Sequence, residues 1–249
     1  MIGHDILKSP LITVEPDDLL GHAASLITPE DAVAVDVLHA RRTSTPSRTR
    51  VLETPAGTLL LRDFCPPSLV GRLRVESGLQ AFTHVPDREH ALLLDIASSP
   101  DCALTLAYTP AGEIVGQVTL ALADGWWEGV ENLYEVALEV SSHWRGRGVA
   151  RQLLAFALEL DALEEVILFA MGFSWHWDME GLHISTHGYR VLVADLFAAQ
   201  GFQEYPTAEP DISMDPNNFL LARIGQRVDQ RVAAQFFRRL RGSPYALRW

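Results

Sequence analysis

Hydrophobic residues fall into short runs separated by polar turns, and their spacing predicts strands and helices along the chain. Thr109-Pro110-Ala111-Gly112 has the composition of a hairpin turn between two such runs. Apolar runs of strand length cover residues 58–64, 103–108, 113–122, 133–140, 166–173 and 219–224. Helical periodicity or helix-start residues mark residues 66–73, 86–97, 149–163, 189–200 and 226–240.

The order of these elements predicts an α/β protein with a mixed sheet. A hairpin places its two strands antiparallel, whereas the strand–helix–strand unit that follows it places its strands parallel. A doubly wound sheet would instead alternate strand and helix from its first strand. We therefore expect a central mixed β-sheet flanked by helices.

Length and local composition predict one main domain with two extensions. A chain of 249 residues fits one large domain, or one domain with additions at its ends. Residues 1–40 have the pattern of helix and turn, and residues 41–50 contain no aliphatic or aromatic side chain, which is typical of a linker. We expect an N-terminal extension over 1–50, the domain over 51–225, and an arginine-rich helix and tail over 226–249.

Composition excludes several classes of protein. Hydrophobic residues make up 48% of the chain, which is enough for a core and excludes wholesale disorder. No run of about 18 apolar residues exists, and the N-terminus lacks the pattern of a secretory signal. Cys65 and Cys102 are far apart in sequence and are expected to be buried free thiols. These features predict a cytoplasmic protein with no membrane association.

The charge is acidic overall and unevenly distributed. The net charge of −12 argues against a nucleic-acid binder. Residues 223–249 hold seven arginines against Asp229 alone, a charge of +6, so residues 1–222 carry −18. An acidic body suits a cationic partner, although a solvated surface explains the same charge.

The stretch from residue 133 to residue 152 is the part of the sequence that predicts chemistry. A strand ends at Val140, a four-residue loop follows, and two glycines then lead into a helix start, so backbone N–H groups and the helix dipole would form a cradle for a pyrophosphate. A dinucleotide fingerprint is a poorer match because its third glycine is missing, and there is no phosphate-loop lysine. The predicted cofactor-binding residues of this turn are Arg145, Gly146, Arg147, Gly148, Val149 and Ala150.

These residues carry a resemblance to a known family. Arg145-x-x-Gly148-x-Ala150 resembles the acetyl-CoA-binding motif of the GCN5-related N-acetyltransferase (GNAT) superfamily, whose fold also fits residues 51–225. Further blocks resemble the bacterial acetoin-utilization acetyltransferases and extend the resemblance to about residue 240. Those blocks lie at residues 134–140, 175–178, 188–190 and 222–228.

The resemblance implies an activity, a co-substrate and a partner. It implies lysine acetylation with acetyl-CoA, and acetyl-CoA synthetase as the protein that is acetylated and inactivated. It also implies that the backbone of Leu138 and Val140 pairs with the pantetheine amides as an added strand would. No metal is expected, since His183 and His187 lack a clear third ligand.

Acetyl transfer to a lysine needs a base, and two carboxylates are candidates. Glu135 and Glu139 share one face of the predicted strand 133–140. We prefer Glu135 because it lies further from the pyrophosphate, with Glu139 as the second choice. The alternative is that both are solvated residues of a half-buried strand.

Other catalytic assignments stay open. His176, in Trp175-His176-Trp177-Asp178, is a candidate acid, base or substrate contact, or else a buried histidine held by an aspartate. The superfamily often places a tyrosine four residues before a Gly-Phe pair as the acid for the CoA thiolate, but Phe197 occupies that position here.

The function also stays open between three hypotheses: a protein acceptor, a small-amine acceptor, and no catalysis at all. The acidic run that includes Trp126 and Trp127 is a candidate docking surface for a lysine-bearing protein, or a loop with two buried tryptophans. A small amine is the alternative acceptor, and a non-catalytic acetyl-CoA-binding regulator is the alternative function.

Overall fold

The computed structural model describes residues 47–79 and 86–242. The extension predicted over 1–40 lies outside these residues, as does most of the predicted linker. In the described residues a single sheet contains nine strands. They are β1 (Thr49–Thr54), β2 (Gly57–Arg62), β3 (Arg74–Val75), β4 (Cys102–Tyr108), β5 (Glu113–Leu122), β6 (Leu133–Val140), β7 (Ile167–Gly172), β8 (Gln203–Tyr205) and β9 (Phe219–Ile224).

The helices of the described residues lie between these strands, and α7 follows the last one. The hairpin predicted at residues 109–112 joins β4 to β5, where the N–H of Gly112 donates to the carbonyl of Thr109 at 2.9 Å. No helix in residues 47–79 or 86–242 has the length and apolar character to cross a membrane. The helices are α1 (Pro67–Val70), α2 (Pro86–Ser98), α3 (Val149–Leu158), α4 (Met179–Leu182), α5 (Thr186–Ala198), α6 (Pro210–Ser213) and α7 (Gln230–Leu240).

The sheet is mixed, as the order of elements predicts. The strands follow the order β1-β2-β4-β5-β6-β7-β9-β8, and the short β3 pairs with β5 off this path. Neighbours along the path are antiparallel except β6 and β7, which are parallel and joined through α3. The fold is therefore an α/β mixed sheet flanked by helices.

Several elements differ from the predictions, three of them for physical reasons that can be stated. Thr49 and Arg50 begin β1 rather than ending a loop; β1 is a mostly exposed edge strand, so it has little hydrophobic signal. The helix predicted over 149–163 ends at Leu158, and a 3₁₀ turn follows over Asp161–Glu165. The three-residue strand β8 has no apolar run long enough to predict it.

Each face of the sheet is covered by helices. On one face α3 and α5 pack over a cluster that includes Leu153, Phe156 and Phe197. On the other face two separate clusters form, one that includes Leu93 of α2 and one that includes Phe236 of α7. The region of the sheet between the last two clusters is where the polar residues of the candidate site lie.

The late block Arg223–Arg227 holds the fold together rather than lining the site. Arg223 pairs with Glu164, and the N–H of Gln226 donates to the same carboxylate at 3.0 Å. The N–H of Gly225 donates to the carbonyl of Val166 at 3.1 Å. The arginine-rich C-terminal segment thus begins by pairing with the acidic body.

Two arginines, Arg48 and Arg50, contact the C-terminal end of α3. Their acidic partners differ in burial, so their contributions to the free energy of unfolding are expected to differ. Arg48 bonds Asp63 (Nε–Oδ2 2.6 Å), which is 1% exposed, and it also donates to the carbonyls of Phe156 and Glu159. Arg50 forms its ion pair with the Glu159 carboxylate at the surface, and like Arg48 its guanidinium lies over the Phe156 ring.

We expect Arg48→Ala to lower the free energy of unfolding by about 3 kcal/mol, because the Asp63 charge stays buried without its partner. Arg50→Ala, the matched control, should cost less than about 1 kcal/mol because its ion pair is exposed. Urea unfolding measures both, and equal losses would contradict the anchoring role of Arg48.

Candidate active site

A fork in the sheet opens a cleft. The parallel pairing of β6 with β7 covers only Leu133–Glu135 against Ile167–Phe169, and the two strands diverge beyond it. The cleft at the fork has a volume of about 830 Å³ and is also lined by α3 and α5. A volume of this size accommodates a large ligand.

The diverging part of β6 presents unused backbone groups to the cleft. The N–H of Ser141 donates to the carbonyl of Val115, so the neighbouring pair Val140–Gly116 is a non-hydrogen-bonded pair of the β5–β6 ladder. By alternation, the N–H and C=O groups of Leu138 and Val140 point away from β5, and these two residues lie beyond the part of β6 that pairs with β7. An extended ligand can hydrogen-bond to this edge as an added strand would.

At the end of β6 the chain forms an anion cradle before α3 begins. Gly146 and Gly148 have φ values of +71° and +75°, and a Cβ built on either would meet no atom within 4 Å. Gly148 is the N-cap of α3 and supplies no side-chain cap, so the first N–H groups of the helix, from Val149 and Ala150, lack intrahelical acceptors. The open space and the free donors fit a diphosphate.

The arginines near this cradle divide into two roles. Arg145 lines the cleft, and its guanidinium pairs with Asp178. That hydrogen bond, together with one from the N–H of Gly181, holds the pKa of Asp178 below its usual value. Arg147 is exposed, and it donates to backbone carbonyls of its own loop, 2.7 Å from that of His143.

A buried polar strip crosses the sheet between the two clusters of one face. Glu135 and Glu139 are 6% and 5% exposed and both line the cleft, so they are not residues of a solvated face. On β5, Gln117 lies opposite Glu139, and Thr119 donates to Gln117 at 2.8 Å. Buried carboxylates in an open cleft are typical of sites that move protons.

His176 also lines the cleft, but not in the geometry that the sequence suggested. Residues Ser174–His176 form a 3₁₀ turn, so His176 and Asp178 do not share a strand face. The turn is fixed by Ser174: its hydroxyl donates to Asp215 at 2.5 Å, and its backbone N–H donates to the side-chain oxygen of Asn218 at 2.8 Å. Asp178 is bonded to Arg145.

The structure brings Tyr189 into the cleft, although it lies two helical turns from the position where the superfamily often has its tyrosine. Its ring stacks on Trp177 with centroids 5.2 Å apart. Burial raises the pKa of Tyr189; the charge of Arg145 opposes the rise, and the charges of Asp178 and Glu139 add to it. The hydroxyl therefore stays protonated at neutral pH. Phe197 also lines the cleft and packs edge-on against Phe202, in the largest of the three clusters.

Two further hypotheses change with the structure. Trp127 is fully buried between Phe169 and Phe236, so it cannot anchor a docked protein. His183 lies between α4 and α5 with φ +52°, so it and His187 are not one turn apart on a helix. Among residues 47–79 and 86–242, no group of three or more metal-ligating side chains is placed to hold a metal.

Sequence reasoning did not place Tyr189 in the cleft, and it missed the residues that support the site from a distance. Tyr189 contacts the cleft because α5 crosses the fork, which no local pattern indicates. Glu76 bonds to the loop after β6, although 65 residues separate it from Ser141. Ser141 and His143 directly precede the predicted phosphate loop. Their closeness to that loop in sequence is the feature that could have identified them as supporting residues.

Comparison with known proteins agrees with this geometry. Residues 72–170 match the model of the acetyltransferase (GNAT) family. The chain is 33% identical over 192 residues to the acetoin utilization protein AcuA of Bacillus subtilis, covering 75% of this chain and 90% of that protein. The AcuA protein of Bacillus licheniformis is 32% identical over the same shares of the two chains.

A solved structure is similar as well. The acetoin utilization protein of Exiguobacterium sibiricum superposes with a TM-score of 0.75 at 28% identity, covering 80% of this chain and 97% of that one. The fork, the anion cradle and the relatives lead to one assignment: the chain belongs to the acetyltransferase (GNAT) family, is an acyltransferase, and is similar within that family to the acetoin utilization proteins.

Proposed function

We propose that this protein transfers the acetyl group of acetyl-CoA to a lysine of another protein in the cytoplasm, and that the acceptor is acetyl-CoA synthetase, which the transfer inactivates. The observation that carries the proposal is one continuous cleft. It joins the anion cradle at Gly148 to the buried carboxylates Glu135 and Glu139 along the open edge of β6. The similarity to acetoin utilization proteins supports the choice of acceptor.

Different residues of the cleft would bind CoA and accept the proton of the lysine. The diphosphate of CoA would bind at Gly146, Gly148 and the first N–H groups of α3, and the pantetheine arm would pair with Leu138 and Val140. A lysine ammonium titrates near ~10.4, so deprotonation at pH 7 costs about 4–5 kcal/mol. Glu135, with Glu139 as the alternative, would accept that proton directly or through water.

Tyr189 is the residue that we propose as proton donor to the departing CoA sulfur, in place of Phe197. Its phenol lines the cleft and is protonated at neutral pH. We expect Tyr189→Phe to lower kcat by about 10²-fold, at the lower end of the range for acid–base groups. Tyr205→Phe, which removes a hydroxyl near α7 and outside the cleft, should leave kcat unchanged. Equal kcat for Tyr189→Phe and wild type would exclude the role.

Mass spectrometry of the acceptor tests the proposed function. Purified acetyl-CoA synthetase is incubated with acetyl-CoA and either this protein or its Gly148→Glu variant. Acetylation of a single lysine by the wild type alone, with loss of synthetase activity, is the expected result. Acetylation of small amines but not of the synthetase would favour the alternative acceptor. Binding of acetyl-CoA with no turnover on any acceptor would favour a regulator.

A further inference from the structure

The carboxylate of Glu76 is the centre of a hydrogen-bond cluster behind the anion cradle. Glu76 follows β3 and its side chain is 14% exposed. Its Oε1 accepts from Nδ1 of His143 at 2.8 Å and from Oγ of Ser77 at 3.0 Å. Its Oε2 accepts from the N–H of Gly78 at 3.0 Å and from Oγ of Ser141. All four donors converge on one carboxylate, and two of them belong to the loop between β6 and α3.

This cluster fixes the backbone of that loop where it leaves the sheet. Ser141 is fully buried, and its N–H donates to the carbonyl of Val115 at 2.8 Å while its Oγ accepts from the N–H of His143 at 3.1 Å. The N–H of Ser142 donates to the carbonyl of Gly78 at 3.0 Å. The first residues of the loop are therefore bonded on two sides before the chain reaches the cradle glycines.

Ser141, His143 and Glu76 are the residue types of a hydrolytic triad, but they are connected in the wrong order. In a triad the serine bonds the histidine ring and the histidine bonds the acid. Here the serine hydroxyl bonds the acid directly, and it is fully buried, so no substrate can reach it. The cluster therefore holds a loop and does not form a nucleophile.

The charge of Glu76 is matched by its donors. Partial burial opposes ionisation, but the hydrogen bonds from Ser141, His143, Gly78 and Ser77 outweigh it, so the pKa of Glu76 lies below its usual value. An ionised carboxylate with four donors makes charge-assisted bonds, which are stronger than neutral ones. A rigid support of this kind is what keeps a binding loop in its productive geometry.

We propose that Glu76 is a positioning residue for CoA binding: through Ser141 and His143 it holds the loop of residues 141–148 so that the cradle at Gly146 and Gly148 is preformed for a diphosphate. The inference rests on the proposed function, because it assigns the diphosphate of acetyl-CoA to this loop. Glu76 is not among the residues that line the cleft, and so it acts through the loop.

Calorimetry with acetyl-CoA tests the coupling between Glu76 and Ser141. We expect Glu76→Ala and Ser141→Ala each to raise the Kd about 10-fold, equivalent to about 1.4 kcal/mol. The double variant should raise it by about the same factor, because the two substitutions remove one connection. Glu113→Ala, a surface control whose carboxylate pairs with Arg74 beside Glu76, should not change the Kd. Additive losses of about 100-fold in the double variant, or no loss in the single ones, would overturn the proposal.

A truncated donor separates positioning from a general loss of structure. S-Acetylpantetheine lacks the diphosphate, so Glu76→Ala should lower kcat/KM for acetyl-CoA about 10-fold through KM and leave kcat/KM for the truncated donor unchanged. Equal losses with both donors would overturn the proposal. If Glu76→Ala does not fold, Ser141→Ala alone supplies the same comparison. Wild-type protein that does not bind acetyl-CoA would instead overturn the proposed function.

Discussion

Replacing Gly148 with glutamate is expected to abolish binding of acetyl-CoA. Gly148 is the N-cap of α3, and the space that its Cβ would enter is open, so the new side chain would occupy the anion cradle itself. Its charge would repel the diphosphate at the point where the helix N–H groups attract it. Isothermal calorimetry should detect no heat of binding at acetyl-CoA concentrations that saturate the wild type.

A second glycine provides the control for backbone strain. Gly148 has φ +75°, a conformation that costs a non-glycine residue roughly 1–2 kcal/mol. Gly129 has φ +84° and equally open surroundings, but it does not line the cleft. Gly129→Glu therefore introduces the same charge and comparable strain, and it should bind acetyl-CoA normally. Near-normal affinity of Gly148→Glu would disprove the placement of the diphosphate.

The central elements could be predicted because their hydrophobic patterns are strong. The runs at 113–122, 133–140 and 219–224 coincide with β5, β6 and β9, whose residues are mostly buried. β1 could not be found in this way, because its exposed edge has few apolar positions. The pairing of β6 with β7 over only three residues is a property of the whole sheet, and no residue of either strand indicates where they separate.

The site was predictable to the extent that it is local in sequence. The cradle could be recognised because two glycines and a helix start are adjacent in the chain, and that combination has a physical meaning by itself. The supports of the site are distant: Arg145 meets Asp178, and Ser141 meets Glu76. Burial of Glu135 and Glu139 could not be read from the strand either, since alternation alone places such carboxylates on a solvated face.

The two carboxylates of β6 differ in their surroundings, which bears on the choice of base. Glu135 is the last β6 residue paired with β7, so it lies at the apex of the fork. Glu139 lies four residues further along the strand, about 13 Å from Glu135 and closer to the cradle. A pantetheine arm that runs along β6 from the cradle ends near the apex. Glu135 therefore stays our first choice, and Glu139 the second.

Glu135→Gln is expected to lower kcat/KM at neutral pH by ~10²–10⁴-fold, because the amide cannot accept the proton of the lysine ammonium. The loss should shrink as the pH rises towards ~10.4, where free amine becomes abundant. Affinity for acetyl-CoA should barely change. Glu131→Gln, which makes the same change at an exposed residue before β6, is the control and should behave as wild type. A loss of the same size at every pH would indicate a positional role for Glu135. No loss at all would transfer the role of base to Glu139 or to His176 acting through water, and the same pH series on Glu139→Gln and His176→Ala would decide between them.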